Sequence, residues 1–266
     1  MSGTLNAKED VEILADKDPG VGLPGRVYLP GYSRTMGPQS HLFAERERLQ
    51  SLTWEHFDVK QLSPTIGAEL VGLDLSQELP SEIVSEIQQA LWDYKVIFFR
   101  NQKITSEQQI RFAQRFGELE IHPFLPPNTE TPELVRFEKN ANAAGYENQW
   151  HHDVTWRETP SQGAVLRAIE TPPIDGDTLF VDANAAYEGL AQEIKDEIDS
   201  LNAVHDFLRA FGRQVPKEKL AEMREMYPLV KHPVVINHHQ TGKPLLYVNR
   251  IFVNGIEGYD EKEGFE

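Results

Sequence analysis

Two histidine-x-acid steps stand in this sequence, His56-Phe57-Asp58 and His151-His152-Asp153, and each offers an imidazole and a carboxylate two positions apart. On an extended strand such side chains leave the backbone on the same face, so each pair would aim at one point. Completed by a second imidazole from a distant strand, a pair of this kind forms the facial triad of non-haem Fe(II) oxygenases, whose remaining coordination positions stay open for small molecules. The motif alone discriminates little. Nine histidines and 42 acidic residues among 266 produce about 1.4 such pairs by accident, and two are found. His56 has no other candidate motif beside it, and an exposed turn is expected there. For His151 and Asp153 the spacing leaves a metal clamp and an accidental pairing both open. His152 would point the opposite way, as a surface or supporting group rather than a ligand.

Composition narrows the alternatives. With no cysteine, disulfides, thiolate zinc centres and cysteine nucleophiles are excluded, leaving histidine and carboxylates as the strong metal ligands. The 26 Lys and Arg against 42 Asp and Glu leave a formal charge of -16. That charge repels phosphate backbones and anionic bilayers, so neither nucleic acid nor a membrane is an expected partner. The opening MSGTLNAKEDVEILADKDPG has no basic stretch followed by an apolar core, and no apolar run approaches spanning length; a cytoplasmic location is expected. A hydrolytic metal site finds no support, since no helix-borne HExxH pair occurs.

Residues 1–52 mix Gly, Pro and charge without a sustained period and read as an irregular extension; residues 53–266 read as one catalytic domain. FDVKQLSPTIGAELVGLDLS reads as short strands broken at Pro64 and Gly67. Ile83, Val84, Ile87, Ala90, Leu91 and Tyr94 fall at helical spacing and lead into KVIFFR, a compact run suited to a buried strand. Thr105 and Gln108 are placed as a capping box for a following helix, with Gly117 as its stop. Strands are then expected at residues 133–138, 149–156, 163–170 and 177–182, helical pieces at 183–201 and 217–226, and apolar strands at HPVVIN and PLLYVN. Strands joined mostly by turns favour a mainly β chain with helical insertions, a jelly roll, over a regular α/β sheet.

Block after block between residues 62 and 252 resembles the TauD/TfdA family, the taurine dioxygenase-like Fe(II)- and 2-oxoglutarate-dependent dioxygenases. The matching blocks are IGAELVGLDLS, VIFFRNQKIT, FGELEIHP, WHHDVTW, GDTLF, HDF, HPVV and LYVNRIF. The resemblance implies a double-stranded β-helix of cupin-like form, with Fe(II) in its mouth and 2-oxoglutarate as cosubstrate. It implies that His151 and Asp153 are iron ligands, that Thr178 binds the distal carboxylate of 2-oxoglutarate, and that His122 contacts the substrate's sulfonate. Trp156 and Phe252 fall where the family has aromatic pocket walls. Leu125 replaces a tyrosine and Glu147 an asparagine of the family's taurine enzymes. A carboxylate beside a sulfonate repels it, which widens the expected substrate to taurine or a related anion, consumed with O2 and released beside succinate and CO2.

The family's third ligand is a histidine nearer the C-terminus, followed by an arginine that pairs with 2-oxoglutarate, and neither has a match in these 266 residues. His205, His232, His238 and His239 fall in blocks whose family counterparts are not ligands. The expectation is therefore a jelly roll with its C-terminal strands missing, exposing apolar faces and unpaired edges. Two functions fit these features: the dioxygenase, and as alternative a non-catalytic truncated product acting as a binding or interaction protein. Self-association into a homo-oligomer is left open.

Overall fold

The computed structural model of the chain describes residues 39–125, 130–139, 149–174, 176–213 and 215–260. Within the stretch expected to be irregular, Ser40–Gln50 form a helix, α1. Its apolar stripe is nearly absent, Leu49 being its one buried residue, which is why periodicity did not mark it. Polar tethers hold it instead. Gln39 Nε2 donates to the Gly189 carbonyl at 3.1 Å, Arg48 meets Asp93 at 2.7 Å, and the Tyr94 hydroxyl donates to the Leu49 carbonyl at 3.2 Å.

Glu45 is the hub of these tethers, with Arg48 at 2.9 Å, Lys95 at 3.3 Å and Lys243 at 2.8 Å. Burial alone would raise its pKa, but hydrogen bonds from Arg48 and Lys243 and the Lys95 charge hold it down at about 2. Glu45→Gln keeps the shape and removes the charge that three cations share. It is expected to cost on the order of 2 kcal/mol, between the values for exposed and buried ion pairs, read as a lower urea midpoint. An unchanged midpoint would mean that α1 is held without this hub.

The first sheet follows the pattern expected for it. Strands β1 (Asp58–Gln61) and β2 (Ala68–Val71) pair antiparallel, with Ala68 and Leu70 turned into the core. Gly67 makes the break at φ +89°, where a Cβ is costly, and its amide donates to the Tyr94 carbonyl at 2.8 Å. Helix α2 (Ser81–Tyr94) buries Val84, Ile87, Ala90 and Tyr94 on one face and returns the chain to β3 (Ile97–Phe98), parallel to β2. A parallel neighbour needs such a crossover. Helix α3 (Ser106–Ala113) begins with the expected capping box: Gln108 N–H donates to Thr105 Oγ1 at 3.3 Å and Thr105 N–H to Gln108 Oε1 at 2.7 Å. It ends short of Gly117, through a turn.

Further on, the strands expected at 133–138, 149–156, 163–170 and 177–182 do not form; all four run as irregular chain and turns. Alternation marks the faces a strand would show, but a ladder requires a neighbour to share its N–H and C=O groups. Among the described residues none pairs with these segments. Leu166, Ile169 and Leu179 accordingly stand exposed, at 74 %, 78 % and 69 %.

The stretch 183–201 divides into α4 (Ala183–Glu188), capped by the Asp182 carboxylate, and α5 (Gln192–Ile198). Strand β4 (Asn202–His205) is followed by α6 (Leu208–Phe211) and by α7 (Leu220–Met226). β4 is then flanked on both sides, antiparallel, by β5 (Val230–Pro233) and β8 (Val253–Ile256). Between these, β6 (Val235–Asn237) and β7 (Pro244–Leu246) make a hairpin where HPVVIN and PLLYVN were expected as strands. The described residues therefore hold more helix than strand, a correction to the mainly β expectation. None of their helices is long and apolar enough to cross a membrane.

Candidate functional site

His151 and Asp153 do converge, though not on a strand. Residues 151–152 run without regular structure and 153–156 make a turn, closed by Arg157 N–H donating to the Val154 carbonyl at 3.1 Å. Val154 adopts φ +59°, a left-handed conformation that costs a β-branched residue about 1–3 kcal/mol and persists only where its surroundings enforce it. His151 Nε2 lies 3.3 Å from Asp153 Oδ1, and His151 Nδ1 lies 2.9 Å from the Gln149 carbonyl. A carbonyl only accepts, so Nδ1 carries a proton. In the neutral ring Nε2 is then a lone pair facing a carboxylate oxygen, a repulsive arrangement unless a positive charge sits between them. A proton on Nε2 supplies one; a metal ion would supply another.

The residues fit such an ion in three respects. Donors about 2.0–2.2 Å from one cation, at roughly a right angle, stand about 3 Å apart. The ring nitrogen turned toward Asp153 is Nε2, while Nδ1 is anchored to the Gln149 carbonyl, the arrangement that orients metal-binding histidines. The contact with His151 holds the exposed Asp153 carboxyl below the usual range, with the nearby imidazoles adding to the effect, so it stands as a carboxylate that a cation could meet. Among the described residues no third histidine or acid joins them to make a group that could hold a metal ion.

His122 stands beside this pair, close enough for the Asp153 charge to act on it; burial chiefly lowers its pKa. Its Nδ1 accepts the Phe124 and Leu125 amides, both at 3.2 Å. The neutral ring therefore keeps its proton on Nε2, a single outward donor. Behind it lies an aromatic cluster: Trp156 is 6.4 Å and Phe211 5.4 Å from the His122 ring, and Phe252 is 6.2 Å from Phe211. Trp156 and Phe252 are buried, so they back the site as core residues. Leu125 is half-buried and enters this arrangement through its amide. Glu147 lies outside the described residues. Thr178 is exposed on the irregular segment ahead of Asp182, and its hydroxyl has no protein partner among the described residues. His56, expected on an exposed turn, is half-buried and tied to Glu86 at 2.7 Å as a structural contact.

Sequence reasoning missed what lies beneath the pair. His152 turns inward, its ring 5.1 Å from Tyr247. His205 on β4 and His232 on β5 pack edge to face at 5.0 Å, neither a member of a metal group among the described residues. His205 is fully buried, with Nδ1 2.9 Å from Thr155 Oγ1. The alternation on β4, with Ala203 and His205 both inward, was the available signal for that burial.

Residues 58–266 match the model of the Taurine catabolism dioxygenase TauD, TfdA family. The chain belongs to that family. Members of the TauD/TfdA family use Fe(II) and 2-oxoglutarate, which agrees with the donor set of His151 and Asp153. An alkylsulfatase of Acinetobacter baylyi is 34% identical over 206 residues, covering 74% of this chain and 64% of the relative. An alpha-ketoglutarate-dependent sulfate ester dioxygenase of Pseudomonas putida is 35% identical over 211 residues, covering 76% and 69%. The chain thus spans less than two thirds of the alkylsulfatase. Among solved structures, a taurine dioxygenase from Burkholderia xenovorans superposes with a TM-score of 0.66 at 32% identity, covering 79% of this chain and 69% of that one. The shared fold is the family's jelly roll.

Proposed function

We propose that the chain is an Fe(II)- and 2-oxoglutarate-dependent dioxygenase acting on a small anion that carries a sulfonate or a sulfate ester. The observation that supports this reading is the 3.3 Å approach of His151 Nε2 to Asp153 Oδ1 on an exposed turn, an imidazole nitrogen and a carboxylate oxygen close enough to share one cation. His151 and Asp153 would hold the iron, which when bound with 2-oxoglutarate and O2 supplies the oxidation of a substrate C–H bond coupled to release of succinate and CO2. Thr178, exposed and with no hydroxyl partner among the described residues, would offer its hydroxyl to the distal carboxylate of the cosubstrate. His122 donates Nε2–H to a sulfur-bound oxygen. Because its Nδ1 is committed to two amides, it does so as a neutral imidazole, orienting an anion by a hydrogen bond rather than a full charge. Trp156 and Phe252 stiffen the wall behind it and keep water from that side. Leu125 adds an apolar surface where the family's taurine enzymes carry a tyrosine, which favours an alkyl sulfate over taurine.

The test is an anaerobic titration with Fe(II) and 2-oxoglutarate, watched for the visible charge-transfer band of a chelated complex. A band is expected, shifted more by a short alkyl sulfate than by taurine. Its absence at saturating concentrations would sink this reading for the 266-residue chain. It would favour a non-catalytic member of the family that binds a partner or a small anion. One observation supports that second reading: His151 and Asp153 find no third histidine or acid among the described residues.

A further inference from the structure

The turn that carries Asp153 is strained at Val154 and is gripped from inside by residues remote in sequence. His232 Nε2 lies 3.0 Å from the Thr155 carbonyl and 2.9 Å from the Arg157 carbonyl. Both partners only accept, so Nε2 bears a proton and shares it between two carbonyls of one turn. The Thr155 hydroxyl is fully buried and meets Asn249 Nδ2 at 3.2 Å and His205 Nδ1 at 2.9 Å. Asn249 is itself fixed, since its Oδ1 accepts the Ile251 and Phe252 amides at 3.1 and 2.8 Å. β4, β5 and the loop before β8 therefore each place a polar group on Thr155, two residues after Asp153, and β5 also reaches Arg157.

Such a grip has a specific consequence for the pair. Val154 at φ +59° aims the chain inward immediately after Asp153, and a β-branched residue leaves that conformation unless its neighbours prevent it. Release of the Thr155 and Arg157 carbonyls would let Val154 relax and swing the Asp153 carboxylate away from His151. We propose that His232, acting with the Thr155–His205–Asn249 cluster, is the positioning residue that sets the geometry of the His151–Asp153 pair. His232 touches neither side chain of the pair in any bond described above; it acts through the turn backbone. This role rests on the proposed function only in treating the pair as a metal clamp.

The experiment compares His232→Leu with His232→Gln, whose amide nitrogen reaches to about the position of Nε2, using Mn(II) as the probe ion. Amide hydrogen exchange is followed in the metal-free protein. In His232→Leu, protection at residues 155–157 is expected to be lost while the β1–β2–β3 sheet keeps its own, and Mn(II) affinity is expected to fall about 10-fold or more. His232→Gln should retain most of both. Should His232→Leu fail to fold, Thr155→Val removes the buried hydroxyl at constant shape and is expected to act in the same direction.

Wild-type exchange at the turn in His232→Leu, or lost protection with wild-type Mn(II) affinity, would overturn the positioning role. His151→Ala separates the two ideas. If it leaves Mn(II) affinity unchanged, the metal reading of the pair fails, and the exchange data alone decide whether His232 holds the turn.

Discussion

His151→Ala is expected to lower Mn(II) affinity and 2-oxoglutarate-dependent CO2 release by more than about 100-fold, since losing a direct donor exceeds the 10–100-fold cost of losing an outer partner. His151 brings Nε2 to 3.3 Å from Asp153 Oδ1 only because Nδ1 is tied to the Gln149 carbonyl. Alanine removes the nitrogen and the tether together and leaves Asp153 as an exposed lone carboxylate. His152→Ala is the informative control, because that ring turns inward against Tyr247 and should change affinity several-fold at most. Asp153→Asn keeps shape and loses charge, and should resemble His151→Ala more closely than His152→Ala. Full CO2 release by His151→Ala would remove the pair from the chemistry altogether. Equal losses in all three variants would mean that the turn has collapsed rather than that a ligand has gone.

That pair was legible because its determinants are local. Two residues of irregular chain before a turn bring His151 Nε2 within 3.3 Å of Asp153 Oδ1, the convergence the spacing argument expected of a strand, although no ladder forms there. The apolar stripe of α2, the break at Pro64 and Gly67 and the Thr105–Gln108 box were legible for the same reason: each is set within a few residues of chain. What escaped depends on distant partners. Helix α1 is fixed by Asp93, Lys95, Gly189 and Lys243 rather than by an apolar face of its own. The four unformed strands carry the right alternation, but no segment among the described residues shares their hydrogen bonds. His205 and His232 fall in blocks whose family counterparts are not ligands, and no single-strand pattern announces that His205 and His232 bond to the turn after Asp153. Thr155 is the plainest case. In sequence it is an ordinary β-branched residue, and in the structure its hydroxyl and carbonyl receive three side chains from three places in the chain.

Burial of His205 predicts an acid-sensitive fold. Its side chain is fully shielded, and burial, with His232 and His152 nearby, pushes its pKa down to about 4 from the ordinary value of 6.5. Once unfolded, the imidazole takes up a proton as pH drops below about 6.5, whereas the folded protein resists until about 4. Between these values the unfolded state binds more protons, so stability is intact above the unfolded value and is lost as pH falls through the folded one. The shift corresponds to about 3 kcal/mol over the whole window and about 2 kcal/mol between pH 7 and pH 5. His205→Asn can still pair with the Thr155 hydroxyl but cannot take up the proton. Urea unfolding of both proteins at pH 7 and pH 5 isolates the effect, because carboxylates and the other histidines titrate alike in each and cancel in the comparison. The wild type should lose about 2 kcal/mol more than His205→Asn on acidification. Equal losses would mean that the folded protein protonates His205 readily, which a ring sealed between Thr155 and His232 could do only by opening the turn that holds Asp153.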